Sequence, residues 1–237
     1  MTARGWTGRW GRWLAVGVVV AVVVVVGGPY LYIHFVEGKA PAPLTLGAVS
    51  PAASLGPTSA PTTTGAGTTW NVASGSVVGY RVNEVLFGQT NVAVGRTSAV
   101  TGSMTVNAKT VSTAEFTVDM TTVSSDQARR DEQFNGRIMD TATFPTATFK
   151  LTQPIALGSI PADGVERTLQ ATGTLTLHGV TKTVVFSITG RKTGSTVQVA
   201  GSIPIAFADW NIPNPSFGPV TTEDHGVLEF ALNFTQA

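Results

Sequence analysis

From Trp70 onward the chain alternates apolar and polar residues again and again, a period of two that places one row of side chains on each face of a strand. Ala114, Phe116, Val118 and Met120 alternate with Thr113, Glu115, Thr117 and Asp119. Leu169, Ala171, Gly173, Leu175 and Leu177 alternate with Gln170, Thr172, Thr174 and Thr176. The same spacing recurs at Val184, Phe186 and Ile188, at Val197, Val199, Gly201, Ile203 and Ile205, and at Leu228, Phe230, Leu232 and Phe234. Further strands are predicted over Trp70 to Ser74, Val77 to Phe87, Thr97 to Val106 and Ala147 to Thr152, giving eight or nine in all. Connections as short as Gly179-Val180 and Thr193-Gly194-Ser195 leave no room for helical crossovers, so neighbouring strands pair antiparallel. Many antiparallel strands with one apolar face close most economically into a barrel, which removes exposed edges; a sandwich is the alternative. One helix is predicted over Ser125 to Asn135, with Ser124 or Ser125 as cap and Gly136 as terminator, lying across a barrel end or side.

Composition narrows the function classes. The chain has 237 residues, no cysteine, a formal charge of +1 and only 12% charged residues. Cysteine-ligated zinc and disulfides are excluded. No broad positive field exists for nucleic acid.

The first 69 residues have a different character. Trp13 to Val36 is almost continuously apolar; as a helix it reaches about 36 Å, against a hydrocarbon core of about 30 Å. Arg4, Arg9 and Arg12 precede it without an acidic residue, so the positive-inside bias keeps the N-terminus in the cytoplasm and sends the remainder across. A cleaved signal peptide is the competing reading, but the best small-residue site, Ala40-Pro41-Ala42, lies far past the apolar run. Residues 37–69, rich in Pro, Ser, Thr and Ala, are expected to be a disordered linker on the order of 30 Å in span. The expected organisation is therefore a basic cytoplasmic head at 1–12, a transmembrane anchor at 13–36, the linker at 37–69 and a β-barrel domain at 70–237, held at the cell membrane outside the cytoplasm.

Three strings carry a family resemblance: Arg130-Asp131 followed by Phe144-Pro145 and Phe149, then the GTLTLHGVTK run from Gly173 to Lys182, then the terminal strand around Phe230. With Trp70, Val72, Ser76 and Val77, the segment resembles the YceI-like family. The resemblance implies an all-β fold, an extended antiparallel eight-stranded lipocalin-like barrel with one short helix, whose interior binds a long isoprenoid lipid. An isoprenoid chain needs a dry apolar channel, since each methylene taken from water contributes about 0.8 kcal/mol. Phe116, Val118, Met120, Leu175, Leu177, Phe186, Ile188, Phe230 and Leu232 are the candidate interior ligand contacts. The competing reading is a solid barrel in which those rows pack on one another, function then residing on the surface near Trp210 and the NIPNPSFGP loop with Ile212 and Phe217. For a phosphate head group, Arg81, Arg130, Lys150 and Lys182 are the candidate partners.

An enzyme is the minority reading: Arg129, Arg130, Asp131 and Glu132 offer acid–base groups, but a charged face on a short helix explains them with less. No G-x-S-x-G elbow, phosphate loop or dinucleotide fingerprint occurs, and no cofactor is implied. Of three histidines, His34 falls in the apolar segment, and His178 sits at a hairpin tip as an exposed or turn-stabilising residue. His225 follows Glu223 and Asp224; joined to Asp209 it would make a metal site, but carboxylates at a turn are more commonly solvated, so no metal is expected.

Overall fold

The structure is a computed structural model that describes residues 13, 16–21, 27, 40–48, 67–86, 88–107, 109–158 and 162–237. Its strands are β1 (Thr68–Val72), β2 (Val77–Leu86), β3 (Gln89–Thr97), β4 (Val100–Asn107), β5 (Thr110–Asp119), β6 (Thr146–Gln153), β7 (Ile155–Ala156), β8 (Glu166–Leu177), β9 (Val180–Thr193), β10 (Thr196–Ala206), β11 (Val220–Thr222) and β12 (His225–Gln236). A ring of eight, β1-β4-β5-β6-β8-β9-β10-β12, closes through the β1–β12 pairing. The fold is thus the expected all-β, closed eight-stranded antiparallel barrel with one short helix. Closure gives every ring strand a partner on each side, although β9 and β10 pair only over Ile188–Thr193 and Thr196–Gly201.

Four strands fall outside the ring. β2 continues β1 beyond a turn, pairs with β12, and carries β3 and β11; β7 pairs with β5. That turn is fixed to β12: Ser76 Oγ donates to the Ala73 carbonyl and accepts from Asn233 N–H, and Asn233 Nδ2 donates to the Ser74 carbonyl. The strand over Gln89–Thr97 was not expected. Ala93 and Val94 are both buried although they point to opposite faces, so the strand lacks the alternation that marks the others.

The helix is shorter than predicted. α1 covers Ala128–Gln133, and a π-helical turn, Phe134–Ile138, carries the chain past Gly136. Ser125 does not cap α1 directly; the N-cap is Gln127, while Asp131 accepts from Ser125 N–H and Oγ at 2.8 and 2.6 Å and so ties the approach to the first turn.

Among the described residues no helix is long and apolar enough to cross a membrane. The expected basic head at 1–12 lies outside the described residues, as does most of the expected span Trp13–Val36, of which only Trp13, 16–21 and Gly27 are described. The expected disordered linker is corrected over 40–48. Leu44 and Leu46 are buried against Ala200, Ala231 and Val77 on the outer wall, and the segment ends in a 3-10 turn, Leu46–Ala48. Its polar groups are also met: Arg81 Nη2 donates to the Pro41 carbonyl at 2.6 Å, Arg96 Nη2 to the Ala42 carbonyl, and Leu44 N–H to Glu229 Oε2 at 3.2 Å. Proline-rich composition hides this because it records neither the two leucines' destination nor the distant arginines that meet the Pro41 and Ala42 carbonyls.

Candidate functional site

The inner rows of the barrel do not meet. They enclose a cavity of ≈ 1120 Å³ whose lining runs from Thr68, Arg167, Arg191 and Gln236 at one end to Glu84, Leu86, Arg130 and Phe217 at the other. The barrel is hollow, not solid. That volume would take on the order of 35 waters, yet most of its wall is apolar, with charged residues gathered toward the ends.

An eight-stranded barrel is at the size where side chains either fill the interior or leave room for one ligand. Here the aromatic rings tip the balance, because several lie over glycines of the neighbouring strand. Phe116 pairs with Gly102 and Phe230 with Gly201 in direct register; a methyl group on either glycine would meet the facing ring at 2.8 or 2.7 Å. A methyl on Gly173 would meet Phe149 at 2.4 Å, and one on Gly95 would meet Tyr80 at 2.3 Å. Each ring therefore lies along the wall in the space a side chain would have used, and the lumen stays open. Phe234, Phe116, Phe149, Phe186 and Phe230 form a continuous chain of ring contacts with centroid distances of 5.4 to 6.4 Å. Alanines at 93, 114, 147 and 171 add to the opening.

All nine interior candidates, Phe116, Val118, Met120, Leu175, Leu177, Phe186, Ile188, Phe230 and Leu232, line this cavity. The head-group candidates are placed differently. Only Arg130 lines it; Arg81, Lys150 and Lys182 do not, and pair instead with Glu229, Glu115 and Asp209. Even spacing along a strand gives the face only where the alternation is clear, and isolated cations in Thr-rich strands do not announce which way they point. Cations that sequence reasoning passed over line the ends: Arg129 beside Arg130, and at the other end Arg167, Arg191 and Lys192. Arg191 reaches Glu166 and Gln198, while its Nε lies buried with no hydrogen-bond partner.

At the end that carries α1, Arg130 forms a 3.3 Å ion pair with Glu84, and Asn91 Nδ2 donates to the same carboxylate at 2.8 Å. Tyr80 stacks on Phe134 at 5.1 Å. Burial pushes its phenol well above the ordinary tyrosine range, while the Arg130 guanidinium pulls the other way. The hydroxyl therefore stays protonated at every physiological pH.

The NIPNPSFGP loop divides. Trp210 and Ile212 are buried in the core, whereas Phe217 stands at the α1 mouth with Arg129 and Arg137 each 5.7 Å from its ring centre. His178 occupies a two-residue hairpin loop with Gly179, both at positive φ (48° and 73°), the backbone twist that suits a tight hairpin. Its Nδ1 lies 3.2 Å from the Trp210 carbonyl and its ring packs edgewise on Phe144, so it stabilises the turn.

His225 and Asp209 do not come together: Asp209 pairs with Lys182, and His225 with Asp224 at 2.8 Å and Glu223 at 3.3 Å. Among the described residues no group of three metal-ligating side chains occurs. The hydrogen bond that His225 Nδ1 donates to the Asp224 carboxylate raises the His225 pKa above its ordinary 6.5, and Glu223 adds to the effect. A raised value means that the contact contributes below about pH 6.5 and is lost as pH rises through the folded pKa. In an NMR titration His225 is expected to titrate above 6.5, and Asp224→Asn to return it toward that value; an unshifted midpoint in the parent chain refutes the contact.

Comparison with known proteins agrees with this geometry. A polyisoprenoid-binding domain from Saccharophagus degradans superposes with a TM-score of 0.58 at 16% identity, over 72% of this chain and 99% of that one. BcnA of Burkholderia cenocepacia gives a TM-score of 0.50 at 23% identity, over 65% and 95%. A UPF0312 protein of Vibrio parahaemolyticus is 30% identical over 128 residues, half of this chain and 64% of that protein's length. The model of the YceI-like domain matches residues 70–234, and the chain belongs to the YceI-like family.

Proposed function

We propose that this barrel holds a long apolar lipid, isoprenoid in type, in its lumen, and that Trp13–Val36 anchors it to the cell membrane on the side away from the cytoplasm. The observation that carries the lipid reading is the ≈ 1120 Å³ cavity with its apolar wall. A mostly apolar lumen stabilises a hydrocarbon chain by about 0.8 kcal/mol per methylene taken from water, a gain that a polar solute of equal size does not have. The S. degradans domain, named for polyisoprenoid binding, supports the same class of ligand. Holding the lipid requires no covalent chemistry. The anchor rests on the apolar run with three arginines before it.

The test is organic extraction and native mass spectrometry of the full chain purified from membranes. A co-purifying lipid at about one per chain is the expected result. Phe186→Asp or Phe230→Asp, which puts a carboxylate in the lumen that must stay hydrated, is expected to remove the lipid while circular dichroism keeps its β signature. A chain that emerges empty, and takes up no prenyl alcohol when offered it, overturns the lipid reading.

A further inference from the structure

The docked segment at 40–48 changes what the anchor does. It runs down the outer wall: Pro41 lies at Arg81, Leu44 at Glu229, and Leu46 in the cluster with Ala231 and Val77. Along β2 and β12 this order leads away from the α1 mouth, since Arg81 is nearer Leu86 than Val77 is, and Glu229 nearer His225 than Ala231 is. The end of the segment that continues toward the anchor therefore faces the α1 mouth.

We infer that the rim of this mouth, with Val85, Phe217 and Pro219, rests on the bilayer that holds the chain's own N-terminal segment, so that the lumen opens onto the membrane. The inference rests on the anchor proposed above. Between Val36 and Pro41, which docks at Arg81, stand only Glu37, Gly38, Lys39 and Ala40, so five Cα steps extend at most about 18 Å. From Arg81 to Leu86 at the rim is about 17 Å along the strand, or roughly 13 Å in height at the usual barrel tilt. Even a fully extended connector therefore holds the membrane end of the anchor no more than about 5 Å above the rim, and any slack in it brings the rim onto the membrane surface.

The rim suits that surface. Phe217 is 49% exposed and Val85 40% exposed, and Arg129 and Arg137 flank the Phe217 ring. Aromatic and apolar groups beside cations are the usual residents of a membrane interface. The exposed charges are of both signs, Asp126 and Glu132 beside Arg129 and Arg137, so seating depends on the short connector and apolar contact, not on anionic lipid. A lipid tail could then pass from bilayer to lumen without entering water, where each exposed methylene would cost about 0.8 kcal/mol.

Because the chain has no cysteine, single labels can be placed cleanly. Val85→Cys, Phe217→Cys and, as reference near the other mouth, Val165→Cys would carry an environment-sensitive fluorophore on the full chain, reconstituted in phosphatidylcholine vesicles containing spin-labelled lipid. Labels at 85 and 217 are expected to lose most of their fluorescence and the label at 165 to keep it. Two changes are each expected to bring the first two labels to the level of the third while the chain stays with the vesicles: Leu44→Asp with Leu46→Asp, which undocks the segment, and a flexible Gly-Ser insertion after Lys39, which leaves it docked. Equal quenching at all three positions on vesicle-bound parent chain overturns this inference and leaves the anchor standing. Quenching that survives both changes overturns the role given to the docked segment. A chain that does not stay with vesicles overturns the anchor and this inference with it.

Discussion

Replacing Glu229 with alanine is expected to lower stability by about 2–4 kcal/mol, measured as a shift in the midpoint of urea unfolding. The carboxylate is 4% exposed and accepts from Arg96 at 2.8 Å, from Arg81 at 3.5 Å and from Leu44 N–H at 3.2 Å. Its removal leaves two guanidinium groups facing each other without a counter-charge. Breaking a buried pair by deleting one partner costs about 3–5 kcal/mol, and the lower range follows because both arginines keep partial access to water. Glu229→Gln retains an acceptor for Leu44 N–H and is expected to cost less. The alanine variant should also release residues 40–48, visible as faster backbone amide exchange at Leu44. A change within about 0.5 kcal/mol, the usual scatter for surface substitutions, would show that the carboxylate does not hold this segment.

Gly102→Val is the second large effect, expected at about 3 kcal/mol or more. Gly102 sits at φ 141°, where a β-branched side chain is strained, and an added Cβ would lie 2.1 Å from the Glu115 carbonyl oxygen. Neither the backbone nor the Phe116 ring beside it can yield without opening the β4–β5 ladder. Gly201→Ala makes the informative contrast. There the nearest atom is the far end of the Phe230 ring at 2.7 Å, which can swing away from the wall, and the nearest backbone atom, the Ser187 carbonyl oxygen, lies at 2.9 Å against 2.1 Å for the carbonyl at Gly102. That variant is expected to cost less and to narrow the lumen, so that it retains less of any bound lipid. Equal costs at the two positions would argue that the aromatic rings are not what the glycines accommodate.

Much of the site was legible in the sequence for one reason. In a strand of period two the inward face is fixed by counting, and Phe116, Leu175, Phe186 and Phe230 needed no tertiary information to be assigned to the interior. β3 was not legible, because burial on both faces erased the period. The outer row of β12 was misleading in the opposite sense: Glu229, Ala231 and Asn233 read as a solvent face, yet Ala231 and Asn233 are 0% exposed. Residues 40–48 cover the first two, and the β1–β2 turn with Gln198 closes over Asn233. Those partners lie some 150 to 190 residues away in sequence for the turn and the docked segment, beyond the reach of any local pattern.

The sequence by itself determined the eight strands of the ring and β2, though not β3, β7 or β11, and with them the antiparallel order, the face each apolar row presents and the resemblance that names the family. It also supplied the apolar run and its arginines. Only the tertiary structure decided that the barrel is hollow, which cations reach the lumen and where residues 40–48 go. The physical reason is common to all three. Whether a phenylalanine fills a lumen or lies along its wall depends on the register that sets a glycine opposite it, and register, like the docking of a distant segment, exists only when strands far apart in the chain have been brought together.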